Sequence, residues 1–159
     1  PLQLCNLAAS IANRGFFFTP HIHKNTDHTP LPARFLTPHQ TQASPEAYAT
    51  VVAGMRLAVT KGTATELNRT SYPVCGKTGT AENAGKDHSA FIGFAPMNHP
   101  KIAIAVYIEH GGFGADMAAP IAGLIMEEYL KGRLSPRSLA TVKRLERMQT
   151  LEKRVSSTK

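Results

Sequence analysis

The stretch YPVCGKTGTAEN, residues 72–83, decides how this chain is read. Gly76-Lys77-Thr78 is how a phosphate-cradling loop ends, yet a second pair, Gly79-Thr80, follows at once. A phosphate loop needs a glycine five residues before its Gly-Lys pair, follows a strand and opens a helix. Here Ser71 holds that position, Pro73 lacks an N–H to wrap a phosphate, and the residues after Thr78 continue as a strand. The nucleotide reading fails on all three points. On a strand, Thr78 and Thr80 share one face while Lys77 and Gly79 share the other. One side then offers two hydroxyl donors and the other a fixed cation beside a gap, which suits a peptide carboxylate, and an extended peptide could add along the strand's edge.

Working outward, the hydrophobic period from residue 74 is two. Residues 74–83 read as a strand, AGK at 84–86 as a short hairpin turn, HSAFIGFA at 88–95 as a second strand, 96–100 as a loop and KIAIAVYIE at 101–109 as a third strand. Ile102, Ile104, Val106 and Ile108 alternate with Ala103, Ala105 and Tyr107, so neither face is polar and both are expected to be covered by helices. One such helix follows the glycine-rich HGGFG at 110–114, over residues 115–130, with Ile121, Leu124, Ile125 and Tyr129 as its stripe.

Upstream, Leu4, Leu7, Ala8 and Ile11 give a helix over 1–14, with Gly15 where a left-handed cap belongs. Residues 16–44 carry Pro20, Pro30, Pro32 and Pro38 and read as a partly stranded, loop-rich excursion. Ser44-Pro45-Glu46 starts a second helix: a hydroxyl cap, a proline at the first helical position and a carboxylate at the positive dipole end. Val51, Val52, Met55 and Val59 lie on one side of it, and Lys61-Gly62-Thr63 reads as its stop. The predicted class is α+β: a three-stranded antiparallel sheet portion with helices on both faces.

The chain has 159 residues and 42% apolar content, the size and composition of one globular domain. Its net charge of +7 is unevenly placed: residues 1–130 hold 9 basic and 9 acidic side chains, residues 131–159 hold 9 and 2. A neutral body argues against nucleic-acid binding, which needs the positive patch on the folded face. The tail, with a second helix start at Ser135-Pro136 and Leu139, Val142, Leu145, Met148, Leu151 and Val155 among its basic residues, reads either as an amphipathic helix on a membrane surface or partner or as a solvated extension. The expected division is a body over 1–132 and a tail over 133–159. Cys5 and Cys75 sit among small apolar residues and read as buried thiols rather than a disulfide framework. No apolar run is long enough to span a membrane.

The Lys77-Thr78-Gly79-Thr80 box, followed by DHSAFIGFAP, IAIAVYIEHGGFG and AAPIAGLIMEEYL, resembles the C-terminal half of a class B penicillin-binding transpeptidase. PLQLCNLAASIANRGFFFTPHI and MRLAVTKGTA are similar to segments upstream of the box in that family, and the likeness to the elongation-type penicillin-binding protein 2 is the strongest. The resemblance implies a partial β-lactamase/transpeptidase-like fold. It implies cross-linking of peptidoglycan stem peptides by serine acyl transfer, with Lys77 supporting proton transfer around the serine. Thr78 and Thr80 would bind the terminal carboxylate, Gly79 would allow close approach of ligand, and the Thr80 N–H would join the oxyanion hole. It further implies β-lactam antibiotics as ligands, cell-elongation proteins as partners, a place on the periplasmic face of the bacterial inner membrane, and no metal or other cofactor. A serine β-lactamase or D,D-carboxypeptidase, and a non-catalytic scaffold of the same fold, are the rival readings.

Two boxes of that family are absent. None of the serines upstream of the box starts S-x-x-K, and no S-x-N occurs. Ser156-Ser157-Thr158-Lys159 matches by letters but lies after the K-T-G strand, where the family's nucleophile does not occur. The nucleophile and any membrane anchor are expected in an upstream portion, and the chain alone is expected to be inactive. His21, His23, Asp27 and His28 are metal-ligand types without a spacing rule and read as surface residues, while His88 and His110 read as structural. The glycine loop at 110–114 could border a cleft.

Overall fold

The computed structural model describes residues 1–156 apart from positions 23, 25, 27 and 70, with side chains described through Met148. Its helices are α1 Leu2–Ala12, α2 Pro45–Thr60, α3 Ala118–Lys131 and α4 Pro136–Ser156. Its strands are β1 Phe16–Phe18, β2 Pro38–Gln40, β3 Cys75–Ala81, β4 His88–Ala95 and β5 Ile102–Ile108. The last three form the antiparallel meander expected from their period, in the order β3-β4-β5, so β3 is an edge strand. Lys77 pairs with Ile92, Gly79 with Ala90 and Thr80 with Ser89. The short pair β1-β2 stands apart as its own antiparallel ribbon within the proline-rich excursion.

The two sheet faces hold two cores. On one, Phe91, Ala95 and Ile104 meet Ala118, Ala119, Ala122 and Met126 of α3, together with Val59, Leu67 and Val74. On the other, Cys75 and Phe94 meet Ile11 and Ala12 of α1 and Tyr48, Val52 and Met55 of α2. The helical cover on both faces follows from strands that offer no polar side.

Which stripe each helix buries differs from the expectation in two places. In α3 the buried positions are Ala118, Ala119, Pro120, Ala122, Met126 and Glu127, while Ile125 and Tyr129 are 47% and 65% exposed. Alanine lets the helix backbone lie close to a sheet whose own side chains, Phe91 and Ile104, fill the gap. In α2 the stripe runs Tyr48, Val52, Met55 and Val59, and Val51 is 44% exposed. Tyr48 claims the inward line because its hydroxyl reaches Thr41 Oγ1 at 2.6 Å. The Ser44 cap stands as read, accepting from the Ala47 N–H at 3.3 Å with Pro45 at the first helical position.

Helix α1 ends differently. Arg14, at φ 61°, takes the left-handed place ahead of Gly15 at φ 121°. Its guanidinium donates to the carbonyls of Ile11, Ala12 and Met97 at 3.1, 2.7 and 3.0 Å, which offsets the backbone strain. The connection from β3 to β4 is residues 82–87 rather than a three-residue turn. Asn83 Oδ1 accepts from the Ala84 N–H and Asp87 O accepts from the Gly112 N–H, so side chains and a neighbouring loop close it instead.

Residues Pro136–Ser156 of the basic tail form helix α4, and its first turns are docked on the body. Ser138, fully buried, donates to the carboxylate of Glu127 on α3. Thr141 donates to Glu66 Oε1 at 3.0 Å, and Arg144 reaches both oxygens of Glu66 at 2.9 and 2.8 Å. Burial works to raise the Glu127 carboxyl, but hydrogen bonds from Ser138 and Ser135 and the nearby Arg69 charge outweigh it and leave the group below its ordinary value of 4.5. Among the described residues, no helix is long and apolar enough to cross a membrane.

An ideal Cβ on Gly76 would stand 2.7 Å from Phe91 Cε2, and one on Gly93 2.8 Å from Phe91 Cζ. Gly76→Ala is therefore expected to destabilise the chain by about 1–3 kcal/mol through overpacking. Phe91→Ala should cost about 3–5 kcal/mol by opening a cavity in the larger core. Urea titrations of both variants give these values. Because Glu127 titrates lower in the folded state, the stability it contributes is present above its unfolded pKa and lost as pH falls through the folded one. Thermal midpoints should drop on acidification below about pH 4.5, and Glu127→Gln should flatten that part of the profile.

Candidate active site

Lys77, Thr78, Gly79 and Thr80 lie along the unpaired edge of β3. Alternation sets Lys77 and Gly79 toward the face covered by α1 and α2, and Thr78 and Thr80 toward the face covered by α3, as the strand reading requires. Lys77 and Thr80 are exposed, Thr78 and Gly79 half-buried. Lys77 Nζ folds back and donates to the Thr78 carbonyl at 2.7 Å. That carbonyl is turned to the open edge. Edge-strand pairing alternates with period two, so the Thr80 N–H faces the same open edge.

A shallow cleft of about 190 Å³ runs along this strand, lined by Lys77, Gly79, Ala90 and Ile92 with Leu4 of α1 at its rim. Its walls are largely apolar, with Lys77 and Thr78 as the polar side chains. On the other face the residue 110–117 connection crosses directly over the strand pair: a Cβ on Gly114 would stand 2.5 Å from the carbonyl oxygens of both Gly79 and Ala90. The glycine loop thus lies against the strand but lines no part of this cleft, and only glycine permits its approach.

Ser89 and Thr63, which the sequence reading did not select as site residues, and Gly114, which it read only within the 110–114 loop, hold this arrangement. Ser89, fully buried on β4, donates to the Phe113 carbonyl at 3.1 Å and accepts from the Ala118 N–H at 3.0 Å. It thereby caps α3, whose own N-cap Met117 supplies no side-chain bond. The signal for it was present: a serine at an inward position of an otherwise apolar strand. Gly114 was readable only as part of a glycine cluster. Thr63, in the loop after α2, places its hydroxyl 2.6 Å from that of Thr78. Nothing in the spacing of 15 residues announced that contact.

His88, His110 and His21 each make contacts within the protein. His88 Nδ1 accepts from the His110 N–H at 2.9 Å, and His110 Nδ1 lies 3.3 Å from Asn83 Nδ2, tying the two loops together at the strand ends. His21 Nδ1 lies 3.1 Å from the Thr19 carbonyl and its ring packs on Phe35. His23 and Asp27 lie outside the described residues. Among the described residues, no group of three or more His, Cys, Asp or Glu could hold a metal. Both cysteines are free; Cys5 points its thiol at the Ala103 carbonyl, and burial pushes the Cys75 thiol up to about 11.

Residues 1–127 match the family model described as the penicillin binding protein transpeptidase domain. The peptidoglycan D,D-transpeptidase MrdA of Haemophilus influenzae is 30% identical over 84% of this chain, which spans 24% of that relative's length. Penicillin-binding protein 2 of Pseudomonas aeruginosa superposes with a TM-score of 0.72 at 34% identity, covering 86% of this chain and 31% of that one. Penicillin-binding protein A of Mycobacterium tuberculosis, solved as an imipenem acyl-enzyme complex, superposes with a TM-score of 0.66 at 29% identity, covering 80% of this chain and 30% of that one. The α+β architecture is thus a portion of the β-lactamase-like fold of these domains, and the chain belongs to the penicillin-binding protein transpeptidase family.

Proposed function

We propose that this chain is the C-terminal part of the transpeptidase module of a peptidoglycan D,D-transpeptidase, which cross-links stem peptides by serine acyl transfer and is acylated by β-lactams. The observation that carries the proposal is the open edge of β3, where the family's K-T-G-T residues pair with β4 on one side and stand beside a cleft with no strand on the other. An acyl-donor peptide adds along that edge by backbone hydrogen bonds. Thr78 and Thr80 hydroxyls take its terminal carboxylate, and the outward Thr80 N–H donates to the oxyanion that forms when the serine attacks. Lys77, released from the Thr78 carbonyl, supports the proton's passage from the serine hydroxyl to the leaving amine. A peptide amine then takes the acyl group and frees the serine.

The serine comes from sequence outside this chain, since no S-x-x-K stands before the K-T-G strand. Support for the elongation type comes from the likeness to a penicillin-binding protein 2 and to proteins named MrdA. A further similar structure, 27% identical with a TM-score of 0.71, belongs to a peptidoglycan synthase complex that coordinates polymerization and crosslinking. On this reading we also propose that the parent protein acts at the periplasmic face of the inner membrane, beside the proteins of cell elongation.

Incubating the folded parent with a fluorescent penicillin and measuring intact mass tests the proposal. A covalent adduct is expected on the wild type, and Lys77→Ala should slow its formation by about two orders of magnitude or more. The isolated chain should take no label. Absence of an adduct on folded parent, or an adduct on this chain alone, would overturn the assignment.

A further inference from the structure

We infer that Thr63 is a positioning residue for the carboxylate site: its hydroxyl donates to Thr78 Oγ1 and so turns the Thr78 proton outward to the ligand. The inference rests on the proposed function above and extends it to a residue outside the K-T-G-T box. The two oxygens stand 2.6 Å apart, inside the range of a good O–H···O bond. Each hydroxyl has one proton to give and lone pairs to receive another.

Two arrangements are open to the pair. If Thr78 donates to Thr63, its proton is turned into the protein and an approaching carboxylate meets only lone pairs. If Thr63 donates to Thr78, the Thr78 proton is free to point along the open edge of β3. An anion therefore selects the second arrangement. An O–H whose own oxygen accepts a hydrogen bond is also polarised into a stronger donor. Among the described residues, no hydrogen bond to another protein group competes for the Thr63 proton.

The loop that carries Thr63 is held from several sides, as a positioning group requires. Its neighbour Ala64 is buried and donates its N–H to the Ala58 carbonyl at 3.0 Å. Leu67, a few residues on, is buried in the larger core. Arg56 of α2 bridges the far side, donating to the Val74 carbonyl and to Asn68 Oδ1, both at 2.9 Å. That bridge joins the end of the Thr63 segment to the residue preceding β3. Glu66, three positions after Thr63, is clamped by Thr141 and Arg144 of α4. Thr63 and Thr78 are thus set against each other by framework contacts rather than by their own bond.

The test uses the parent protein with Thr63→Val, which removes the hydroxyl at nearly constant shape, and Thr63→Ser, which restores it. Acylation is followed with benzylpenicillin and with its methyl ester, separating the pre-covalent dissociation constant from the limiting acylation rate. Thr63→Val should raise the dissociation constant for the free acid about three- to tenfold while leaving the limiting rate within about twofold. The ester, which offers no carboxylate, should be insensitive to the substitution, and Thr63→Ser should match wild type. Equal losses with acid and ester, no loss with either, or a serine variant as impaired as valine would each overturn the inference while the wild-type adduct still upheld the active site. A wild type that takes no adduct at all would instead overturn the transpeptidase reading on which the inference rests.

Discussion

The Phe91 ring lying across the Gly76–Gly93 pair is the contact on which the rest of the structure depends. The two glycines face each other on neighbouring strands, and side chains there would collide with the ring. Seated in that gap, Phe91 is 1% exposed and forms the floor on which the alanine side of α3 rests. A ring of this size covering glycine backbone compensates for what glycine lacks in a strand, side-chain contacts across the pair. The glycine that opens the K-T-G-T stretch therefore serves packing first. It locks β3 to β4 on its inner side, and everything chemical about the strand is left to its outer side.

An edge strand is ordinarily a hazard, because its free N–H and C=O groups invite another chain to pair. In β3 that hazard is confined rather than removed. The exposed lysine at position 77 and the residue 110–117 loop lying over Gly79 frame a short stretch of edge, and the Lys77 ammonium occupies the outward Thr78 carbonyl. Ser89 makes this framing possible: one buried hydroxyl both holds the loop at the Phe113 carbonyl and caps α3 at the Ala118 N–H. Loop, helix start and strand edge are consequently fixed as one unit.

How much of this was legible in the sequence follows from where the information sits. The meander was readable because strand period, flanking glycines and turn residues are local, and the alternation of Lys77 and Gly79 with Thr78 and Thr80 follows from the pleat alone. The Ser44 cap was readable for the same reason. Helix α3 was located, yet its buried side was misjudged, because large apolar residues were weighed above alanines that allow close approach to Phe91 and Ile104. Val51 was misplaced because the inward line of α2 is chosen by the Tyr48–Thr41 bond, a contact to a residue outside the helix. The left-handed turn at Arg14 rather than Gly15 depends on three carbonyls collected by one guanidinium, including that of the distant Met97. Thr63 and the docking of α4 are wholly tertiary, and no local pattern carries them.

The docking of α4 also bears on the charge of the molecule. The body is electrically balanced and the net +7 resides after residue 130, so the tail could have been held off by nothing more than solvation. Two carboxylates of the body hold it instead. Glu127 takes a buried hydroxyl, which costs desolvation, and the fact that its carboxyl still lies below the ordinary range means that hydrogen bonds outweigh that cost. Glu66 meets Arg144 at a partly exposed position, where an ion pair by itself contributes only about 0–1 kcal/mol, so Thr141 and the Ser138 contact must carry much of the attachment. Because Glu66 belongs to the same short segment as Thr63, the bonds that keep the basic helix in place are also bonds that keep that segment against β3. A tail that looks dispensable from its composition is in this way part of the frame around the strand edge.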